Sequence, residues 1–304
     1  MKPIYLAILI LFNVFWAAGL SIYKALEPHL DYGGIVTLRF GLAGVGLLLL
    51  WPLLPGKAPR GYALARTLVM GLIVFTLGHR LQVLGNRLGT AGNSSVLMAV
   101  EPLLTSIAAA LFLREHVTAR RWAGFALGMF GVVLLNGVWR MDFAWVGLGP
   151  SLLFISSFLC EAAYSVMGKP LIERASLVKV LALALASGLV ANLALDGSHT
   201  LAAARALPVR AWLMILYLAV VCTMAGYTLW YVVIRETDVN LVALTIFAQP
   251  VAGVVVAAMW LREPLHWGQL WGSVAIVAGL IVGLWTEGST EKLKTLARPS
   301  LVED

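Results

Sequence analysis

The chain divides into ten stretches of mostly apolar residues, each long enough to cross a bilayer as a helix, with little sequence left between them. They run near 4–26, 34–54, 65–84, 91–113, 120–138, 148–168, 177–196, 211–232, 240–261 and 267–286. A helix needs about 20 apolar residues to span the hydrocarbon layer, where backbone N–H and C=O groups must be bonded within the segment. The expectation is therefore an all-α integral membrane protein with ten transmembrane helices. Composition agrees, since 61% of the 304 residues are hydrophobic and only 12% are charged, against roughly 25% charged in soluble domains. The apolar stretch from Ile4 to Leu20 exceeds the ~7–15 residues of a secretory leader's core, so it is read as the first helix of the mature protein. Cys160 and Cys222 both fall inside apolar runs and are read as small core residues, with no disulfide or redox role.

A formal charge of +7 raises the question of nucleic acid, but the basic residues are scattered through short loops and form no patch. Their distribution instead reports orientation, because cytoplasmic loops are enriched in Lys and Arg. With the N-terminus inside, Arg87, Arg140, Arg205, Arg210 and Arg262 fall outside and Lys24, Arg39 and Arg80 lie within spans, which leaves fourteen of the 22 inside. Both termini are expected in the cytoplasm, in a bacterial inner or plasma membrane, with a polar tail at 287–304. The interfacial anchors are expected to be Trp51, Trp139, Trp145 and Trp285.

The sequence repeats itself. Val100-Glu101-Pro102-Leu103 aligns with Ala248-Gln249-Pro250-Val251 at an offset of 148, and the same offset aligns Leu113-Arg114-Glu115 with Leu261-Arg262-Glu263. It also pairs Gly78 with Gly226, Gly124 with Gly272 and Gly131 with Gly279. An offset of 145 pairs Lys24-Ala25-Leu26 with Lys169-Pro170-Leu171. Each copy contains five spans, an odd number, so the copies must enter the membrane in opposite directions. The expected organisation is two inverted five-helix repeats, 1–140 and 141–286, a plan that places substrate near the midplane between the halves.

With its two copies of Glu/Gln-Pro followed by Arg-Glu, and with Asn13 to Lys24 and Arg39-Phe40 in the first two spans, the chain resembles the EamA type of the drug/metabolite transporter superfamily. The resemblance covers nearly the whole chain. It implies ten helices, a central cavity lined by helices 1–4 and 6–9, supporting roles for helices 5 and 10, and export of amino acids, related metabolites or drugs. Gln249 departs from charge symmetry with Glu101, and Arg80 and Glu161 are not features of the family pattern.

Polar residues in lipid are costly and face an interior. On this ground the candidate substrate-binding residues are Asn13, Trp16, Lys24, Arg39, His79, Arg80, Glu101, Glu161, Tyr227, Trp230 and Gln249. Arg80 carries a planar fork suited to a carboxylate, and its other expected partners are Glu101 and Glu161. Lys24 and Arg39 would join it in a basic vestibule, or snorkel to the surface. Along helix 1 the polar face is read as Asn13, Ala17, Leu20 and Lys24. Helices 5 and 10 carry Gly124, Gly128, Gly131, Gly272, Gly279 and Gly283, a spacing that suits close helix packing, within a monomer or across a homodimer. No zinc-binding, phosphate-loop or nucleophile-elbow motif occurs, so neither enzyme chemistry nor a cofactor or metal is expected. The expected function is a secondary transporter or facilitator that exports a small amino-acid-like zwitterion or organic anion by alternating access. A proton-coupled exporter of cationic drugs and a lipid carrier or flippase remain as alternatives.

Overall fold

The computed structural model describes residues 1–89, 91–139, 147–260 and 267–285. Arg140, Trp145, the Arg262-Glu263 pair and the tail lie outside the described residues. Ten helices follow in order: α1 (Pro3–Leu26), α2 (Tyr32–Leu49), α3 (Tyr62–Leu88), α4 (Ala91–Met98 continued by Val100–Phe112), α5 (Ala119–Leu135), α6 (Leu148–Ile172), α7 (Leu177–Arg205), α8 (Val209–Ile234), α9 (Val239–Ala243, Leu244–Phe247 and Ala248–Trp260) and α10 (Trp267–Leu284). No strand occurs among the described residues. Seven of the ten are long and apolar enough to span a bilayer, while the apolar parts of α4 and α9 are shorter and α5 has 17 residues. Leu11, Leu111, Phe112, Val190, Leu213 and Ile281 stand exposed on the outside of the bundle, an apolar surface suited to lipid.

The repeat is written into the packing. Helix α1 packs on α9 as α6 packs on α4, α3 packs on α6 as α8 packs on α1, and α3 packs on α7 as α8 packs on α2. The pairs α2–α7 and α5–α10 map onto themselves. Local irregularities repeat too. Helix α3 widens into a π-helical stretch at Leu72–Gly78, and α8 does the same at Leu218–Ala225. Helix α4 is interrupted at Ala99, just before Glu101-Pro102, and α9 tightens at Leu244–Phe247, just before Gln249-Pro250. A proline lacks the N–H that would extend the ladder backwards, and the preceding turn is irregular in both copies. Lys24 Nζ donates to the carbonyl of Gly89 ahead of α4, as Lys169 Nζ donates to the carbonyl of Thr237 ahead of α9.

The glycine stripes face each other inside the monomer. A Cβ at Gly124 would lie 2.8 Å from the carbonyl oxygen of Gly279, and one at Gly131 would lie 2.7 Å from that of Gly272. Exchanging the two copies turns the first contact into the second. Gly128 admits the ring of Phe247. Helices α5 and α10 thus form one closely packed pair beside the bundle.

Several span boundaries differ from expectation: α2 ends at Leu49 rather than at 54, and α3 runs to Leu88 rather than to 84. Helix α6 continues through Pro170 to Ile172. Helix α7 does not end at 196 but runs to Arg205, with Asp196 held out of helical geometry at φ −150° and ψ 17°. The segment after 196, read as a loop, is helical beyond a kink at Asp196, whose carboxylate accepts from Thr37 and Arg80.

Candidate central cavity

A cavity lies between the two repeats. Trp16, Gly19, Leu20 and Tyr23 of α1, Arg39 of α2, His79 and Gln82 of α3, and Met98, Glu101 and Thr105 of α4 line one part. Glu161, Tyr164 and Ser165 of α6, Leu218, Cys222, Tyr227 and Trp230 of α8, and Ile246 and Gln249 of α9 line the rest. Eight of the eleven expected residues are therefore brought together. Among the described residues, helices α5 and α10 contribute none, as expected. Helix α7 contributes none either, contrary to expectation, because its inward polar groups are taken up by α2 and α3.

Arg39 is buried, 5% exposed. Its guanidinium donates to the Tyr23 hydroxyl and, at 2.9 Å, to Thr223 Oγ1, and it lies 4.7 Å from the centre of the Phe40 ring. No carboxylate pairs with it among the described residues. Glu101 is the converse. Its carboxylate lines the cavity and has neither an ion pair nor a hydrogen bond among the described residues.

His79 and Glu161 meet across the cavity with Nε2 2.7 Å from Oε1. The Tyr227 hydroxyl lies 2.8 Å from the same Nε2 and donates to Glu161 Oε2 at 3.1 Å. His79 Nδ1 is 3.2 Å from Gln82 Oε1. Phe40 at 4.4 Å and the parallel Phe75 at 6.4 Å hold the imidazole plane. On the opposite wall Trp16 Nε1 donates to the carbonyl of Cys222, and Trp230 Nε1 donates to Ser165 Oγ.

Three expected residues are placed elsewhere. Asn13 lies below the cavity, where it accepts from Gln249 Nε2 at 2.9 Å and donates to Leu9 O and Thr245 Oγ1. The lining face of α1 is consequently Trp16, Gly19, Leu20 and Tyr23, rotated from the expected Asn13, Ala17, Leu20 and Lys24. Lys24 ties the end of α1 to the α3–α4 connection and pairs with Glu27 at 3.2 Å. Arg80 pairs with Asp196 at 2.7 Å, donates to Asn192 Oδ1 at 2.8 Å and contacts Thr37 Oγ1. The acid that answers Arg80 is Asp196, not Glu101 or Glu161. The cation that reaches the cavity is Arg39. Tyr23, Gln82 and Tyr164 were missed, although Gln82 and Tyr164 stand three residues after His79 and Glu161 and so share their helix faces.

One end of the bundle is tied together by charged contacts. Glu115, at the end of α4, accepts from Lys169 Nζ at 2.8 Å and from the first two backbone N–H groups of α9, those of Val239 and Asn240. Arg114 reaches φ 56° in the turn that carries it there. Arg121 bonds Asp238 and Asn240, and Lys2 and Tyr5 bond Glu236. The α1 positions that line the cavity lie in that helix's second half, away from these contacts.

Comparison with known proteins agrees with this architecture. The profile of the EamA-like transporter family matches residues 3–137 and again 149–285. A probable terminal-alkyne amino-acid exporter of Streptantibioticus cattleyicolor is 26% identical over 298 residues, covering 95% of this chain and 97% of its own. A probable amino-acid metabolite efflux pump of Escherichia coli K12 is 28% identical over 205 residues, 64% of this chain and 68% of its own. A solved structure with 17% identity superposes with a TM-score of 0.70, over 97% of this chain and all of that one, and so shares the fold. With a double family match, ten helices and a lipid-facing apolar surface, this chain is a multi-pass membrane protein that belongs to the EamA-like transporter family.

Proposed function

We propose that this protein exports small amino-acid-like zwitterions by alternating access between its two repeats. The observation that carries the reading is a cavity guanidinium and a cavity carboxyl, Arg39 and Glu101, neither of which has an ion-pair partner among the described residues. Each is costly to keep out of water. An α-amino acid brings a carboxylate for the guanidinium and an ammonium group for Glu101, so one ligand compensates both. The remaining wall, with Trp16, Leu20, Met98, Leu218 and Ile246, suits an apolar or aromatic side chain. The names of two relatives, which describe exporters of amino acids or their metabolites, support the same substrate class. The Lys and Arg bias puts both termini in the cytoplasm and with them the Glu115–Lys169 contacts. A cytoplasmic reporter fused after Asp304 is expected to be active, and activity only of a periplasmic reporter would reverse the orientation.

The binding test uses purified protein and ligand-induced thermal stabilisation. L-Leucine and L-phenylalanine are expected to stabilise the parent, whereas leucinamide, which lacks the carboxylate, and 4-methylpentanoate, which lacks the amine, are not. Hydrogen bonds to charged groups are worth about 1.5–3 kcal/mol, so Arg39→Gln and Glu101→Gln are each expected to weaken binding roughly 10- to 100-fold. Equal stabilisation by leucinamide, unaffected by Arg39→Gln, would favour the cationic-drug reading instead.

A further inference from the structure

The Arg39 guanidinium is held on two sides by neutral hydroxyls. Its Nε donates to Thr223 Oγ1 at 2.9 Å, and Thr223 Oγ1 lies 2.8 Å from the carbonyl oxygen of Leu218, five residues back along α8. A guanidinium can only donate and a carbonyl can only accept. The hydroxyl between them is therefore fixed in direction, accepting from Arg39 and donating to Leu218. In an α-helix a threonine hydroxyl reaches the carbonyl three or four residues back. Here it reaches the fifth, because α8 is π-helical from Leu218 to Ala225. On the other side Nη1 of Arg39 donates to the Tyr23 hydroxyl. Nη2 has no partner among the described residues and is not sealed from the cavity that Arg39 lines.

We propose that Thr223 is a positioning residue which, by fixing Nε, aims the open Nη2 edge of Arg39 at the substrate carboxylate. The proposal rests on the amino-acid reading of the cavity, in which Arg39 takes that carboxylate. A guanidinium is planar, so bonds at Nε and Nη1 together fix its plane as well as its place. Without the Thr223 bond the plane turns about the Tyr23 contact, and Nε becomes a second donor that a carboxylate can meet in a different orientation. The loss of order then falls on the carboxylate pole.

The widened stretch of α8 also shapes the neighbouring wall. The Cys222 carbonyl accepts from Trp16 Nε1 at 2.8 Å, and a Cβ at Gly226 would fall 2.8 Å from the Trp16 ring. At the offset of 148 the first copy has Phe75 where the second has Thr223. Phe75 sits in the matching π-helical stretch of α3 but its side chain has no acceptor, so the arrangement belongs to one repeat. Thr223 is fully buried and is not one of the residues that line the cavity. Its effect on binding passes either through Arg39 or through the backbone of α8, and the test separates the two.

The test measures equilibrium binding of labelled L-leucine to the purified full chain. Thr223→Val keeps the shape and removes the acceptor, and is expected to weaken leucine binding about tenfold. In an Arg39→Gln background the same substitution is expected to change binding by less than about twofold, because no guanidinium remains to be aimed. Thr223→Ser and Thr223→Cys differ from each other in one atom and decide the matter should the valine variant not fold. Serine keeps the hydroxyl and is expected to bind within about threefold of the parent. Cysteine, whose sulfur is a weak acceptor, is expected to bind at least about fivefold more weakly than serine. Parent-like affinity in Thr223→Val, an equal loss in both backgrounds, or equal affinity of the serine and cysteine variants overturns the positioning role. The amino-acid reading then stands, provided that the parent binds leucine and Arg39→Gln weakens it. If the parent binds neither L-leucine nor L-phenylalanine, or Arg39→Gln binds like the parent, the reading and the role of Thr223 fall together.

Discussion

Arg80→Ala is expected to lower stability by about 3–5 kcal/mol, the usual cost of removing one partner from a buried ion pair, without altering the recognition of substrate by the protein that still folds. Arg80 and Asp196 side chains are 14% and 15% exposed and 2.7 Å apart. Around them Thr37 donates to Asp196, Asn192 accepts from Arg80, and Asn192 in turn donates to the carbonyl of Phe75. The cluster ties α2, α3 and α7 together at the kink in α7. It is tight enough that a Cβ at Gly33 would fall 1.9 Å from the Asp196 carboxylate. Removal of the guanidinium strands that carboxylate. Arg80→Lys keeps the charge and loses the second bond, so an intermediate loss is expected. Adding Asp196→Asn to Arg80→Ala removes the stranded charge and is expected to recover part of the stability. Thermal unfolding and monodisperse yield in detergent read these effects. If Arg80→Ala melts like the parent, the pair carries no structural weight. If it folds normally but loses leucine binding, Arg80 belongs to the substrate site after all.

Gly272→Leu is expected to be the other severe lesion. A Cβ at this position would lie 2.5 Å from both the carbonyl oxygen of Gly131 and the backbone N of Leu135. These are backbone atoms of the facing helix, so no side-chain rotation relieves the clash. Overpacking typically costs 1–3 kcal/mol, more when backbone must move, and separating α5 from α10 places the loss at about 3 kcal/mol or above. Gly253→Ala is the control. Nothing lies within 4 Å of its added Cβ, and alanine is the better helix former by about 1 kcal/mol, so stability is expected to hold or rise. Equal melting of the parent and Gly272→Leu would contradict the α5–α10 packing.

The architecture was legible because the bilayer enforces it. A segment in hydrocarbon must satisfy its own backbone and present apolar side chains, so each span leaves a countable signal. The repeat was legible because the glycines and Arg-Glu pairs recur at one offset, and the packing of Gly124 and Gly131 shows what the glycines are for. Charge pairing was not legible. Asp196 lies 116 residues from Arg80, at a point where hydrophobic counting ends a span, and only tertiary structure brings the two together. The face of α1 was misjudged for a related reason. Asn13 is polar but its amide is consumed by Gln249, Thr245 and Leu9, whereas Gly19 and Tyr23, which do line the cavity, carry no signal that marks them in an apolar helix. Arg39 was recognised as a candidate, yet its lack of a direct ion-pair partner among the described residues, the property that singles it out, is a statement about neighbours and not about sequence.

The central claim, that Arg39 and Glu101 form the two poles of a zwitterion site, is tested most directly by counterflow. Liposomes loaded with unlabelled L-leucine are given labelled L-leucine outside, in the presence of excess leucinamide or 4-methylpentanoate. The account predicts rapid leucine counterflow that neither analogue inhibits, and its loss by at least tenfold in Arg39→Gln and in Glu101→Gln. Counterflow that leucinamide inhibits as well as leucine does, and that survives Arg39→Gln, would contradict it.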